Sequence, residues 1–382
     1  MKTRLRILCI ACMIIFLLAA CTETPAPQFN DPTPAAEAAA TPIVPDEPDD
    51  VVITAVAAPT QEPVAAPTEA PTPEPTPTPE PTPTPAPTRA PKANDIAVNF
   101  PDYDTGVDAD YSYQSDELRI AITVHREQMP DGRGRNLNEV YYVADIWIRN
   151  LNSFRTAFAK NEFRKGVEDG DVLARRENAI LAVNGSYIQG LVLSSGKLMQ
   201  KQRAIKGWNS GSACILYKDG SLKTFKLKKE KVNVNQELKN GAWHGWQFGP
   251  IVISNYETGS NATAYGDLGF KARNILGYYE PGHYVIVNCD AYRDDAQGMN
   301  AQMMVDVMKS LGVKEAFNLD GGVSAVMVFM GEVINRPTPR YENGKKEEGR
   351  AIFDMLLFGE YDENGVAPDL STLTADKFLG RN

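Results

Sequence analysis

Residues 272–329 read ARNILGYYEPGHYVIVNCDAYRDDAQGMNAQMMVDVMKSLGVKEAFNLDGGVSAVMVF, and the fold class depends on how this stretch divides. Two runs rich in branched and aromatic residues, 272–279 and 283–289, flank Glu280-Pro281-Gly282, whose Pro and Gly supply turn chemistry. The pair reads as a hairpin. Beyond it, Met303, Met304, Val307, Met308 and Leu311 recur at helical spacing, so the pattern predicts a helix over 299–311 stopped by Gly312. The Met stripe reads as core packing, because a thioether fills irregular apolar gaps. A strand over 316–319, a turn at Asp320-Gly321-Gly322 and a strand over 324–329 complete the stretch.

Outward from this region, further strand-like runs occupy 118–125, 139–148, 179–184, 213–217, 250–254 and 351–358. Many strands with few helices predict an α+β (mixed α/β) fold: multi-stranded mixed sheets with a few packed helices, and no regular doubly wound sheet. No second linker and no internal repeat divide residues 95–382, so they read as a single globular domain.

The N-terminal end has a different character. Lys2, Arg4 and Arg6 precede an apolar run from Ile7 to Ala20, which is short for a membrane-spanning helix and reads as a signal peptide over 1–20. The run closes on Leu18-Ala19-Ala20-Cys21, which resembles a bacterial lipobox. The resemblance implies that Cys21 becomes an acylated N-terminus, anchored by lipid. Residues 21–94 are dominated by Pro, Thr, Ala and Glu and cannot bury a core, so they read as a disordered spacer held near polyproline II. At about 3.1 Å per residue such a stalk reaches on the order of 200 Å when stretched. The expected location is therefore extracytoplasmic, lipid-anchored to the bacterial cell membrane and facing the cell wall.

Charge and cysteine usage exclude several classes. A formal net charge of −10 with no basic cluster makes nucleic acid a poor partner. Of the five Cys, Cys9 and Cys12 leave with the signal peptide and Cys21 is lipidated. Cys214 and Cys289 remain; an exported domain permits a disulfide between them, but their apolar settings favour buried thiols. The three His stand far apart and form no zinc pattern.

Chemistry concentrates where apolar strands end in Gly and polar residues. Four such segments occur: Asn184-Gly185-Ser186-Tyr187; Phe248-Gly249-Pro250; Arg273-Asn274-Ile275-Leu276-Gly277 running through Asp290 to Gly298-Met299; and Asn318-Leu319-Asp320-Gly321-Gly322-Val323-Ser324. In this order they resemble the phosphodiester glycosidase family, of the N-acetylglucosamine-1-phosphodiester alpha-N-acetylglucosaminidase type, over 179–358. Two departures stand out. Asp290 is followed by Ala291 and Tyr292 before Arg293, where the family commonly has Asp-Gly-Arg, and Val323 replaces a third Gly after Asp320.

The resemblance implies a hydrolase that releases a sugar from a sugar 1-phosphodiester in a surface or cell-wall glycopolymer. A carboxylate must then stabilise the oxocarbenium-like centre or activate water. A phosphate leaving group, with a second pKa near about 6, needs charge neutralisation more than protonation. Asp320 is assigned as nucleophile or general base with Asp290 as its partner. By position alone Asp320 reads as a turn acceptor for the following N–H groups, and the resemblance gives it the site role. Arg273 grips the phosphate bidentately or serves as a structural ion-pair partner. The helix opening at Gly298 offers N–H groups to an anion. Asn184 and Asn318 bond sugar hydroxyls, while Gly185, Gly321, Gly322 and Ser324 complete the substrate contacts. His244, between Trp243 and Trp246, either stacks on a sugar or packs on the core. No cofactor is certain, although Asp290, Asp294 and Asp295 form a candidate site for Ca2+ or another divalent cation without a complete ligand set. The alternatives to a hydrolase are a non-catalytic glycan-binding lipoprotein and an envelope or exopolysaccharide assembly factor. The anchor is testable by itself: Cys21→Ala should leave the protein out of the membrane fraction while its activity in solution is unchanged, and retention of the processed mutant in membranes would refute lipid anchoring.

Overall fold

The computed structural model describes residues 90–361, apart from 99, 102–107, 189, 203–210, 228–231, 260–261, 263–268 and 343–344. Cys21, the signal sequence and nearly all of the spacer lie outside the described residues. Among the described residues no helix is long and apolar enough to cross a membrane.

Three large sheets and one small hairpin make up the domain. The eight-stranded sheet runs, edge to edge, through Tyr111–Gln114, Leu118–Pro130, Asn136–Ile148, His283–Cys289, Arg273–Glu280, Glu315–Asn318, Ile251–Ser254 and Glu257–Thr258. A five-stranded sheet orders Lys197–Gln200, Val192–Ser194, Ala242–Phe248, Ser212–Tyr217 and Leu222–Lys226. The other orders Glu332–Val333, Met327–Phe329, Leu181–Asn184, Asp354–Phe358 and Phe154–Phe158.

Strand periodicity decides what each face of the large sheet meets. Along His283–Cys289, Tyr284 and Ile286 enter a core shared with Phe154, Leu181, Trp246 and Phe358 from the two five-stranded sheets. Val285, Val287 and Cys289 point the other way, beneath the helix Ala301–Ser310, where Met303, Met304, Val307 and Met308 cover them. The Met stripe is therefore core, and the helix is capped by the Asn300 side chain, which accepts a hydrogen bond from the Met303 N–H at 2.9 Å.

The expected dominance of strands with few helices agrees with the structure, but the expected mixed sheets do not: every strand pairing in the three sheets is antiparallel. The helix explains the difference. It returns the chain so that Glu315–Asn318 runs parallel to His283–Cys289, yet both pair with Arg273–Glu280, which lies antiparallel between them. A helical crossover thus forms without a parallel pair. The structure is better described as antiparallel β architecture with a few helices.

The Trp243–Trp246 segment lies in a strand, Ala242–Phe248. Its alternation is masked because both faces are covered: His244 and Trp246 are fully buried on one, and Gly245 and Gln247 are buried on the other. Burial pushes the His244 ring down to about 3, so it is neutral, and its Nδ1 accepts from the Ser195 N–H at 3.4 Å. It packs on the core and offers no platform to a sugar. Cys214 and Cys289 are both buried free thiols.

One side chain joins the sheets. Phe154 is fully buried, with ring centroids 4.4 Å from Phe358, 5.7 Å from Trp246 and 5.4 Å from Tyr284. These partners come from all three sheets, so truncation opens a cavity at their junction. Phe154→Ala should cost about 3–5 kcal/mol, read as a lower midpoint in urea unfolding; a loss under about 1 kcal/mol would show that the three sheets do not share one core.

Candidate active site

Leu181–Asn184 and Asp354–Phe358 run antiparallel, with Asn184 opposite Met355. The end of one strand therefore lies beside the start of the other, and the turn following Glu315–Asn318 closes over both. Asn184 cross-links the group. Its Nδ2 donates to the Asp320 carbonyl at 2.7 Å, its Oδ1 accepts from the Val326 N–H at 3.1 Å, and its own carbonyl accepts from Asn274 Nδ2 at 2.7 Å. Both ends of this buried amide hold the backbone that presents Asp320.

Asp320 faces Arg350. Arg350 Nη2 donates to Asp320 Oδ2 at 2.9 Å and Nε donates to Ser324 Oγ at 2.7 Å. The Gly321 N–H donates to Asp320 Oδ1 at 3.0 Å. Asp320 is thus the turn acceptor its position implies, and its carboxylate keeps 15% of its side-chain exposure. Burial raises its pKa, opposed by Ser324 and by the Arg350 charge. Gly321 is required here by close approach, since a Cβ would lie 2.5 Å from the Ala272 carbonyl.

Arg350 was not among the residues singled out from the sequence, but it is the arginine of this site. Its guanidinium lies 4.7 Å from the centre of the Tyr187 ring. It also lines a cavity of about 420 Å3 whose walls include Val323, Val326, Pro337 and Asp169. Asp354 is the second residue that went unseen. It is fully buried beside Gly185, where a Cβ would stand 2.2 Å from its Oδ2. Ser186 donates to that oxygen from its N–H at 3.0 Å and from Oγ at 3.4 Å. Burial, reinforced by the charge of Asp320, pushes the Asp354 carboxyl up to about 7 against the hydrogen bonds from Ser186 and Tyr187. Its signal in the sequence was an Asp interrupting the apolar run 351–358.

The other expected site residues lie elsewhere. Arg273 is buried, with Nε donating to the Met299 carbonyl at 2.9 Å and Nη2 to the Gly269 carbonyl at 2.9 Å. Burial pushes it down to about 10. The guanidinium clamps two loops instead of facing the Arg350 cavity. The Gly298 N–H is not open to an anion, because it donates to Glu139 Oε2 at 2.9 Å, and the Met299 N–H donates to the Lys271 carbonyl at 3.1 Å. Burial pushes Glu139 up to about 7. Asn318 donates from Nδ2 to the Gly249 carbonyl at 2.9 Å and so fastens the Phe248-Gly249-Pro250 segment.

Asp290 is not the carboxylate beside Asp320. Its Oδ1 accepts from Asn335 Nδ2 at 3.2 Å and from the Arg336 N–H at 3.1 Å, ordering the segment that follows Glu332–Val333. Burial pushes its carboxyl up to about 6. Arg293 donates to the Arg336 and Pro337 carbonyls at 2.7 and 2.9 Å, and Arg336 pairs with Asp295 at 2.7 Å. The candidate cation ligands are therefore dispersed, and among the described residues no group of three or more His, Cys, Asp or Glu could hold a metal.

The family model described as phosphodiester glycosidase matches residues 169–358. The SPbeta prophage-derived protein YomE of Bacillus subtilis (strain 168) is 26% identical over 200 residues, covering 50% of this chain and 30% of that protein. The N-acetylglucosamine-1-phosphodiester alpha-N-acetylglucosaminidase of Mus musculus is 26% identical over 217 residues, covering 52% of this chain and 40% of that protein. The chain thus spans less than half the length of either relative, at 30% and 40%. Among solved structures, the catalytic domain of the zebrafish N-acetylglucosamine-1-phosphodiester alpha-N-acetylglucosaminidase, auto-inhibited by its pro-peptide, superposes with a TM-score of 0.52 at 21% identity, covering 66% of this chain and 86% of that one. That likeness shows a shared fold. Residues 169–358, which carry every side chain of the Asp320–Arg350 site, belong to the phosphodiester glycosidase family.

Proposed function

We propose that the protein is a hydrolase that releases a sugar, of the N-acetylglucosamine type, from a sugar 1-phosphodiester. The observation that carries this reading is the pairing of Asp320 with Arg350 at the edge of a cavity, within the family segment. Cleavage of a C1–O bond to phosphate builds positive charge at the anomeric carbon and negative charge on the departing phosphate. A carboxylate and a guanidinium held side by side match that separation. Asp320, whose charged form Arg350 favours against its burial, acts at the anomeric carbon as nucleophile or base. Arg350 binds the phosphate oxygens, and its cavity edge is where they enter.

The phosphate role thus moves from Arg273, which holds backbone carbonyls, to Arg350. In this reading Asn184, Gly185, Gly321, Gly322 and Ser324 fix the frame around the two charges. The lipobox, the Pro-rich spacer and the acidic charge support an exported, lipid-anchored protein whose substrate is a surface or cell-wall glycopolymer.

Release of reducing sugar from N-acetylglucosamine 1-phosphodiesters is the assay. Asp320→Asn keeps the shape and removes the charge, so kcat should fall by orders of magnitude while substrate still binds. Arg350→Ala should cost about 2.7–4 kcal/mol in kcat/KM, the scale of losing one preorganised electrostatic donor. Arg273→Lys, which retains a donor toward the carbonyls, should alter stability more than turnover. Glycan binding by the wild type without turnover, unchanged in Asp320→Asn, would establish a binding protein instead.

A further inference from the structure

Asp354 sits where a carboxylate is costly. It opens the strand Asp354–Phe358, between Phe353 and Met355, and is fully buried. A buried anion ordinarily requires a cation, yet among the described residues none pairs with this one. The Arg350 guanidinium is directed to Asp320 and Ser324. What meets Asp354 Oδ2 is the N–H and hydroxyl of Ser186.

The position of this carboxyl is also built into the chain around it. The Gly185 N–H donates to the Asp354 carbonyl at 2.9 Å, and the Gly185 carbonyl accepts from the Asp320 N–H at 3.1 Å. The two aspartates therefore flank one residue, and only glycine fits there, because a Cβ would meet the Asp354 carboxylate at 2.2 Å. Ser186 leads directly into Tyr187, which holds a left-handed φ of 64°, unusual for a residue with a side chain. That conformation sets the Tyr187 ring edge-on to Phe353 at 5.0 Å and beneath the Arg350 guanidinium at 4.7 Å. A continuous path runs from Asp354 through Ser186 and Tyr187 to Arg350 and on to Asp320.

We propose that Asp354 is a positioning residue of the Asp320–Arg350 site, a second carboxyl that seats the Ser186–Tyr187 loop beneath Arg350 and that must be uncharged to do so without adding a rival anion. The proposal rests on the hydrolase reading and goes beyond it by assigning the site a pH limit. Neutral Asp354 leaves Arg350 to balance Asp320 and the substrate phosphate. Ionised Asp354 places a second negative charge beside Asp320 and repels the phosphodiester.

The charged and titratable groups around it set the sign. Asp320 faces it from the turn after Glu315–Asn318, and Tyr187 and Arg350 lie beyond Ser186. Its register partner on Phe154–Phe158 is Phe158, which does not titrate. On the side of the helix Gly170–Arg176, Glu168 is engaged by Arg176 at 2.9 Å and by the Lys160 N–H at 3.0 Å. Burial first, and Asp320 second, push Asp354 up to about 7, so its proton leaves as the pH rises through neutrality.

The test is kcat/KM between pH 5 and pH 9 for the wild type, Asp354→Asn and Ser186→Ala, on the methyl diester of N-acetylglucosamine 1-phosphate, whose own charge does not change in this range. Wild-type kcat/KM should fall up to tenfold per pH unit above a midpoint near neutrality. Asp354→Asn should lose that basic limb. Ser186→Ala removes a hydrogen bond that favours the carboxylate, so its limb should move to higher pH. A purely structural Asp354 would change stability alone. Because its folded pKa is raised, its contribution is fully present at low pH and is lost as pH rises toward about 7, and Asp354→Asn removes that slope whether or not catalysis responds. A wild-type profile flat from pH 6.5 to 9, or the same basic limb in Asp354→Asn, overturns the proposal. If Asp354→Asn does not fold, the wild-type and Ser186→Ala profiles decide it. Calorimetric binding of the same diester over the same pH series separates this inference from the hydrolase reading. Binding with an Asp354-dependent limb but no turnover retains the first and removes the second, whereas turnover with a flat profile does the reverse.

Discussion

The site depends on one buried amide. Asn184 ends a strand of a five-stranded sheet, receives Asn274 from the eight-stranded sheet on its carbonyl, and with its side chain holds the Asp320 carbonyl and the Val326 N–H. The Asn184 carbonyl and the Val326 N–H are buried, so leaving either unpaired costs about 1–3 kcal/mol. A shorter or apolar residue at this position would release two at once. The network therefore rigidifies the junction between sheets where they must meet to form a site, and in the turn Gly321 permits close backbone approach while Gly322 takes a left-handed φ of 61°.

Around this frame the distribution of positive charge sorts the carboxyls. Glu139, Asp290, Asp320 and Asp354 are all raised by burial. Glu139 takes the Gly298 N–H and Asp290 takes Asn335 and the Arg336 N–H. Both order loops. Asp320 alone has a guanidinium at hydrogen-bond distance as well as an open edge. Of the two arginines, Arg350 lines a cavity, whereas Arg273 is clamped on the Met299 and Gly269 carbonyls.

The departures from the family pattern take on structural meaning in the same way. Arg293, one place later than the common pattern, donates to the Arg336 and Pro337 carbonyls and braces the segment that Asp290 also holds. Val323, in place of a third Gly, lines the cavity beside Arg350. An apolar side chain there narrows the space next to Arg350, while the Gly321-Gly322 pair before it keeps the turn.

Local chemistry was legible in the sequence wherever it acts within a few residues. The hairpin around Glu280-Pro281-Gly282, the Met-striped helix and the Asp320-Gly321-Gly322 turn follow from turn propensity and periodicity; Asn184 and Asp320 stood out as polar residues at the ends of apolar strands, and the family resemblance, not position, gave Asp320 its site role. Pairing direction did not, because the crossover helix is the same whether the strand it feeds lands beside its predecessor or one strand further. The Ala242–Phe248 strand was hidden because Gly245 and Gln247 on its other face are buried as well as His244 and Trp246, which erases alternation. The partners of Asp320 were beyond the reach of spacing altogether. Arg350 and Asp354 lie 30 and 34 positions further along the chain, and only the antiparallel pairing of Leu181–Asn184 with Asp354–Phe358 sets them against Gly185 and the Asp320 turn. The sequence determined which residues end each strand; the tertiary structure decided which strand ends meet, because that depends on sheet order and on the burial of polar groups, neither of which has a signal local to the chain.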